Sequence, residues 1–86
     1  MMRIHKLKTL NPYFSAVFHG KKLFEVRIND RDYQIGDLLL LQEYNLERET
    51  FLSRNVLCEI IYILDHPGYV KEGWTILGFE IIRKFS

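Results

Sequence analysis

The chain has 86 residues, and its 12 lysines and arginines nearly balance 11 acidic residues, for a net charge of +1. No global field therefore draws it onto nucleic acid, and any basic character has to be local. Hydrophobic residues make up 48% of the sequence and aromatics 14%, which excludes disorder and suits one domain, 1–86, whose core needs neither disulfide nor metal.

Taken in chain order, residues 2–8 read as a first strand with Ile4 and Leu7 as its core contacts. Asn11-Pro12 begins a helix, with Asn as the cap and Pro at the first helical position, where its missing N–H costs nothing. Phe14, Val17 and Phe18 follow at i, i+3 and i+4 as one apolar stripe. Gly20 stands where a left-handed residue ends the helix. At about nine residues this helix is stable only when packed on a sheet.

The remainder reads as β-structure. Phe24, Val26 and Ile28 alternate with Glu25, Arg27 and Asn29, which predicts an apolar face turned to the core and a polar face turned outward. Gly36-Asp37 turns the chain into Leu38 to Tyr44, a strand buried on both sides. Asn45 to Arg54 is polar and of mixed charge, and predicts a long hairpin loop. Val56, Cys58, Ile60, Tyr62 and Leu64 mark the inner face of the next strand. Asp65-His66-Pro67-Gly68 breaks it with turn chemistry. In the last strand, Trp74 to Arg83, Thr75, Leu77, Phe79 and Ile81 alternate. One helix among five strands favours a small barrel, since closure removes the edges that a flat sheet exposes.

The lone cysteine, Cys58, is flanked by apolar residues and reads as a small core residue. His5, His19 and His66 have no metal-like spacing and no cysteine pair joins them, so no metal or cofactor is expected. No apolar run approaches the ~20 residues of a spanning helix. Arg3, His5, Lys6 and Lys8 interrupt the start of the chain. A soluble, cytoplasmic protein without a membrane partner is the expectation.

Most of the polar functionality lies between Gly20 and Asp37. Glu25 and Arg27 share a strand face, where they form either a surface ion pair of small value or a ligand-facing pair. Lys22 falls on the Phe24 face by strict alternation. A buried unpaired lysine is costly, so the strand has to begin after it or carry a bulge, which lets Lys22 project across a cleft. Asn29 to Asp32 suits a turn pinned by Arg31, and Arg31 also suits a ligand contact. Tyr33, Tyr44, Tyr69 and Trp74 are candidates for base stacking or for ordinary packing.

The motif Gly20-x-Lys22-x-x-Glu25-x-Arg27, set after a short helix and before a Gly-Asp turn, resembles the signature of ASCH domains, small β-barrels of the PUA-like superfamily. More narrowly, three elements are similar to a bacterial and phage ASCH-like subfamily. They are His5-x-Leu7-Lys8, the run from Arg27 through Asn29-Asp30-Arg31-Asp32-Tyr33-Gln34 to Gly36-Asp37, and Leu41-Gln42-Glu43-Tyr44. The resemblance extends from about residue 3 to residue 82. One element departs from the subfamily, which tends to have Thr-Gly-Arg where this chain has Leu52-Ser53-Arg54, so only Arg54 carries over.

The resemblance implies a mainly β, α+β fold: a PUA-like barrel of five or six strands with one short N-terminal helix, and a cleft beside the helix lined by the motif strand. It further implies binding of RNA or a nucleotide by Lys22, Glu25, Arg27, Arg31, Asn29, His5 and Arg54. A catalytic ASCH-like branch hydrolyses acylated cytidines with a lysine, a threonine and a glutamate, and Glu25 occupies the threonine's motif position here. That removes the nucleophile and leaves a Lys22–Glu25 pair for general acid–base chemistry on a modified nucleoside or an RNA phosphodiester, as the alternative function. A protein-interaction or phage-accessory role is the third.

Overall fold

The computed structural model describes residues 2–86. Five strands and one helix follow in the order β1 (Ile4–Thr9), α1 (Tyr13–Phe18), β2 (Phe24–Ile28), β3 (Leu38–Asn45), β4 (Thr50–Leu64) and β5 (Trp74–Phe85). The strands form one curled, half-barrel sheet in the order β1-β3-β4-β5-β2. β1 runs parallel to β3, and the other neighbours are antiparallel. The chain is thus mainly β with one short helix, as its pattern predicts. The backbone ladder does not close the circle, and β1 and β2 are its two edges.

Helix α1 holds the whole apolar stripe but has 6 residues, fewer than expected. Pro12 rather than Asn11 takes the capping position, yet Asn11 Oδ1 still accepts the Ser15 amide at 3.0 Å. At the other end Gly20 has φ +74°. Its N–H bonds the Val17 carbonyl at 2.9 Å, and the Lys21 N–H bonds the Ala16 carbonyl at 2.8 Å. This left-handed closure satisfies the last carbonyls and frees the chain to enter β2. Phe14 and Val17 are fully buried against Leu39, Leu41, Val56, Cys58, Ile60, Leu77 and Phe79.

Four expectations are corrected, three from the alternation of side chains and one from the polarity of residues 45–54. In β1 the inward residues are His5, Leu7 and Thr9, while Ile4 faces solvent. In β2 the polarity is inverted: Glu25 is 4% exposed, whereas Phe24, Val26 and Ile28 are 45%, 48% and 54% exposed. The long loop does not exist. Four residues, Leu46 to Glu49, turn β3 into β4, and Phe51 to Arg54 extend β4 as strand. Finally, the β4–β5 register shifts between Ile60 and Tyr62. The extra residue reverses the alternation, so Tyr62 is exposed and Ile63 packs on the core in its place.

Candidate functional site

The inverted polarity of β2 follows from its place at the edge of the curl. Its inward side chains meet β1 across an open seam, where they can pair with each other and with unpaired backbone groups. Glu25 Oε1 accepts from Arg27 Nε at 3.1 Å and from Arg27 Nη2 at 2.7 Å. Glu25 Oε2 accepts from Lys22 Nζ. Both oxygens of a buried carboxylate are thereby held by cations, the condition under which burying a charge is tolerable. Lys22 lies before β2 begins and also donates to the Phe24 carbonyl at 2.5 Å.

Arg27 reaches across the seam, where Nη2 donates to the Lys8 carbonyl at 3.0 Å and to Thr9 Oγ1 at 3.2 Å. Arg31 makes a second crossing, from Nη1 to the Lys6 carbonyl at 3.1 Å. Arg3 extends the stitching by donating to the carbonyls of Arg31 and Asp32. Arginine side chains thus bridge the two edges that the ladder leaves apart.

Along this seam runs a cleft of about 650 Å³. Leu7, Lys8 and Thr9 form one wall and β2 the other, with Tyr13 at the helix start and Arg31, Tyr33 and Trp74 completing it. Its walls are mainly apolar with a few converging polar groups, the usual composition of a small-ligand site. Burial pushes the Tyr33 phenol up, against the lowering influence of Arg31 and Arg27. Among the described residues, Arg27 Nη1 makes no hydrogen bond, and neither does the Tyr33 hydroxyl.

Of the seven residues singled out from sequence, Lys22, Glu25, Arg27 and Arg31 come together here. The other three do not line the cleft. His5 is buried, with Nε2 2.9 Å from Asp37 Oδ2 and its ring edge-on to Tyr33 at 4.7 Å. Burial pushes the Asp37 carboxyl up, but hydrogen bonds from His5 and from the Gln34 and Arg3 amides together outweigh it and hold the group below its usual range. The pair fastens the Gly36-Asp37 turn to β1. Asn29 is exposed, and its amide donates to the Gly73 carbonyl at 2.9 Å, tying the end of β2 to the turn before β5.

Arg54 lies behind α1. It grips Glu43 with Nε at 3.0 Å and Nη2 at 2.8 Å, and its guanidinium lies 4.7 Å from the Phe18 ring centre. Hydrogen bonds from Arg54, joined by one from Asn11, hold the Glu43 carboxyl below its usual range despite burial. Arg54 therefore fastens the helix to the sheet.

Thr9 and Tyr13 line the cleft without standing out in the sequence, whereas the stacking candidates Tyr33 and Trp74 do line it. Thr9 had a signal, since it continues the His5, Leu7 alternation by one step. Tyr44 and Tyr69 lie elsewhere; Tyr44 packs edge-on against Phe51 at 4.9 Å. Two further hydroxyl and thiol groups lie on the inner face. Thr75, opposite Arg27 in the β2–β5 register, is fully buried, and its Oγ1 has no partner among the described residues. Burial pushes the enclosed Cys58 thiol up to about 12.

No helix among the described residues is long and apolar enough to cross a membrane. A protein of Escherichia phage P2, described as an uncharacterized 12.9 kDa protein in the GpA 3′ region, is 35% identical over 72 residues. The match takes in 84% of this chain but 64% of the phage protein, so the chain spans less than two thirds of that relative's length. The elements that build the seam, from β1 through Phe79 of β5, all fall within residues 4–79, which match the model of a domain of unknown function, DUF3850, and the chain belongs to that family.

Proposed function

We propose that this chain is a PUA-like module of ASCH type that binds RNA or a nucleotide in the seam cleft. One observation carries the reading. Glu25, Lys8 and Thr9 hold the Arg27 guanidinium rigidly from behind, while Nη1 is left free on the wall of a cleft that also contains Arg31, Tyr33 and Trp74. A preformed planar cation beside aromatic faces suits a base and its phosphate. Pre-organisation spares the side-chain ordering that binding otherwise costs.

Hydrolysis draws less support from the same geometry. Both Glu25 oxygens are occupied, the Thr75 hydroxyl is enclosed, and the Cys58 thiol is held protonated. The Thr9 hydroxyl donates to the Leu7 carbonyl, and among the described residues no hydroxyl or thiol donates to Glu25 as an activated nucleophile would.

Binding to random RNA pools and to nucleotides at low salt tests the proposal, with Arg31→Ala and Arg27→Lys as comparison variants. Wild-type protein is expected to bind, and both variants to bind several-fold more weakly. Contact with one or two phosphates gives a shallow salt dependence, a log–log slope of about −0.7 to −1.4 for a single strand. No detectable binding to any pool or nucleotide overturns the proposal.

A further inference from the structure

We infer that the cleft selects nucleotides whose base presents a carbonyl rather than an amino group at its pairing edge: uracil over cytosine, and hypoxanthine over adenine. The inference rests on the nucleotide-binding reading above and concerns which nucleotide.

The argument is an inventory of uncommitted polar atoms. A carboxylate in a binding motif normally serves amino groups, but three of the roughly four acceptor sites of Glu25 are already taken. Its two oxygens are taken by Lys22 and Arg27, and the side chain is 5% exposed. The Thr9 hydroxyl is likewise occupied, accepting from Arg27 and donating to the Leu7 carbonyl at 3.3 Å. What remains uncommitted on the inward side of the cleft is a donor, Arg27 Nη1, with no partner among the described residues, together with the Tyr33 hydroxyl, which can adapt. A base carbonyl meets these donors, whereas an amino group sets donor against donor and leaves both desolvated and unpaired.

Depth and charge divide the two arginines. Arg27 is 24% exposed and lies against the Glu25 carboxylate, which offsets part of its charge and suits it to a neutral carbonyl. Arg31 is 44% exposed at the rim, 4.0 Å from an Asp30 carboxylate that is itself 65% exposed and well hydrated. That leaves Arg31 the more available cation for the phosphate. Asp30, the other carboxylate on the cleft, is exposed beside Arg31 and not buried with Arg27.

Trp74 is the chain's one tryptophan and lines the cleft, so its indole N–H resonance reports locally. Titrating wild-type protein at low salt with the 5′-monophosphates UMP, CMP, IMP and AMP is expected to show UMP at least about tenfold tighter than CMP, and IMP than AMP. Arg31→Ala is expected to lower UMP affinity and to leave uridine, which lacks the phosphate, unchanged. Equal affinities, or a preference for the amino bases, overturn the selectivity while leaving nucleotide binding in place. Binding of an RNA pool with no response to any of the four monophosphates also overturns it and leaves RNA recognition standing. Silence toward RNA and nucleotides alike overturns both.

Discussion

Arg27 of one edge strand donates to the main-chain carbonyl of Lys8 in the other, at 3.0 Å, and so joins two strands that share no backbone hydrogen bond. The same guanidinium neutralises Glu25. Seam closure and charge burial are therefore one interaction, and removing either partner disturbs both.

A double-mutant cycle separates these roles. Glu25→Gln and Arg27→Gln are each expected to cost about 1–3 kcal/mol, because each strands a buried polar or charged partner. The double variant is expected to cost less than the sum of the two, with a coupling of about 1 kcal/mol or more. Urea unfolding of the four proteins measures it, and strict additivity would contradict the pairing.

Acid should weaken the fold through Asp37 and Glu43. Both carboxyls are held below their ordinary values of 3.8 and 4.5 in the folded chain. The unfolded state therefore takes up protons first as pH falls. The stability that these groups contribute is complete above the ordinary values, and is lost as pH drops below them through the lower folded values. Unfolding midpoints measured from pH 7 down to about pH 2 are expected to fall below about pH 4.5. Asp37→Asn and Glu43→Gln should each flatten that fall while lowering stability at pH 7.

The hydroxyl of Thr75 is enclosed without a partner. Thr75→Val keeps the shape and removes the desolvated group, so it is expected to be neutral or to stabilise by up to about 1–2 kcal/mol. A loss of more than about 1 kcal/mol in thermal or urea unfolding would show that the hydroxyl has a partner in solution.

The inverted faces of β2 can be checked by substitution. Val26→Thr is expected to change stability by less than about 0.5 kcal/mol, as an exposed position should. The inward face of the same ladder behaves differently: Leu77, paired with Glu25, is fully buried, and Leu77→Ala is expected to cost about 2–5 kcal/mol. Were β2 to bury its apolar face, Val26→Thr would be the damaging change of the two.

Much of the architecture is legible in local chemistry. The Phe14, Val17, Phe18 stripe and Gly20 place the helix and its stop, because capping and periodicity act over a few residues. Thr75, Leu77 and Phe79 alternate correctly, because β5 lies inside the sheet, where one face is the core. β2 is not legible in this way. Its apolar residues face out because the seam rewards the Glu25–Arg27–Lys22 cluster inside, a tertiary condition that alternation cannot express. His5 and Arg54 show the same limit. Each belongs to a motif, yet each spends its polarity on a carboxylate distant in sequence, Asp37 or Glu43, and so fastens an element instead of facing the cleft. Tyr62 is displaced by a single extra residue in β4, which no turn or glycine signal marks.

β2 has one ladder neighbour, and that neighbour is β5, the last strand of the chain. Its other anchor, the Arg27 link to Lys8, belongs to the first strand. The motif strand thus waits on the final strand for its backbone partner, although 45 residues of sequence separate Ile28 from its partner Trp74. Loop closure over such a separation is slow relative to forming the β3–β4 hairpin. The β3–β4 hairpin is therefore expected to form before β2 docks on β5, and the cleft, which needs both edge strands in place, to form after it.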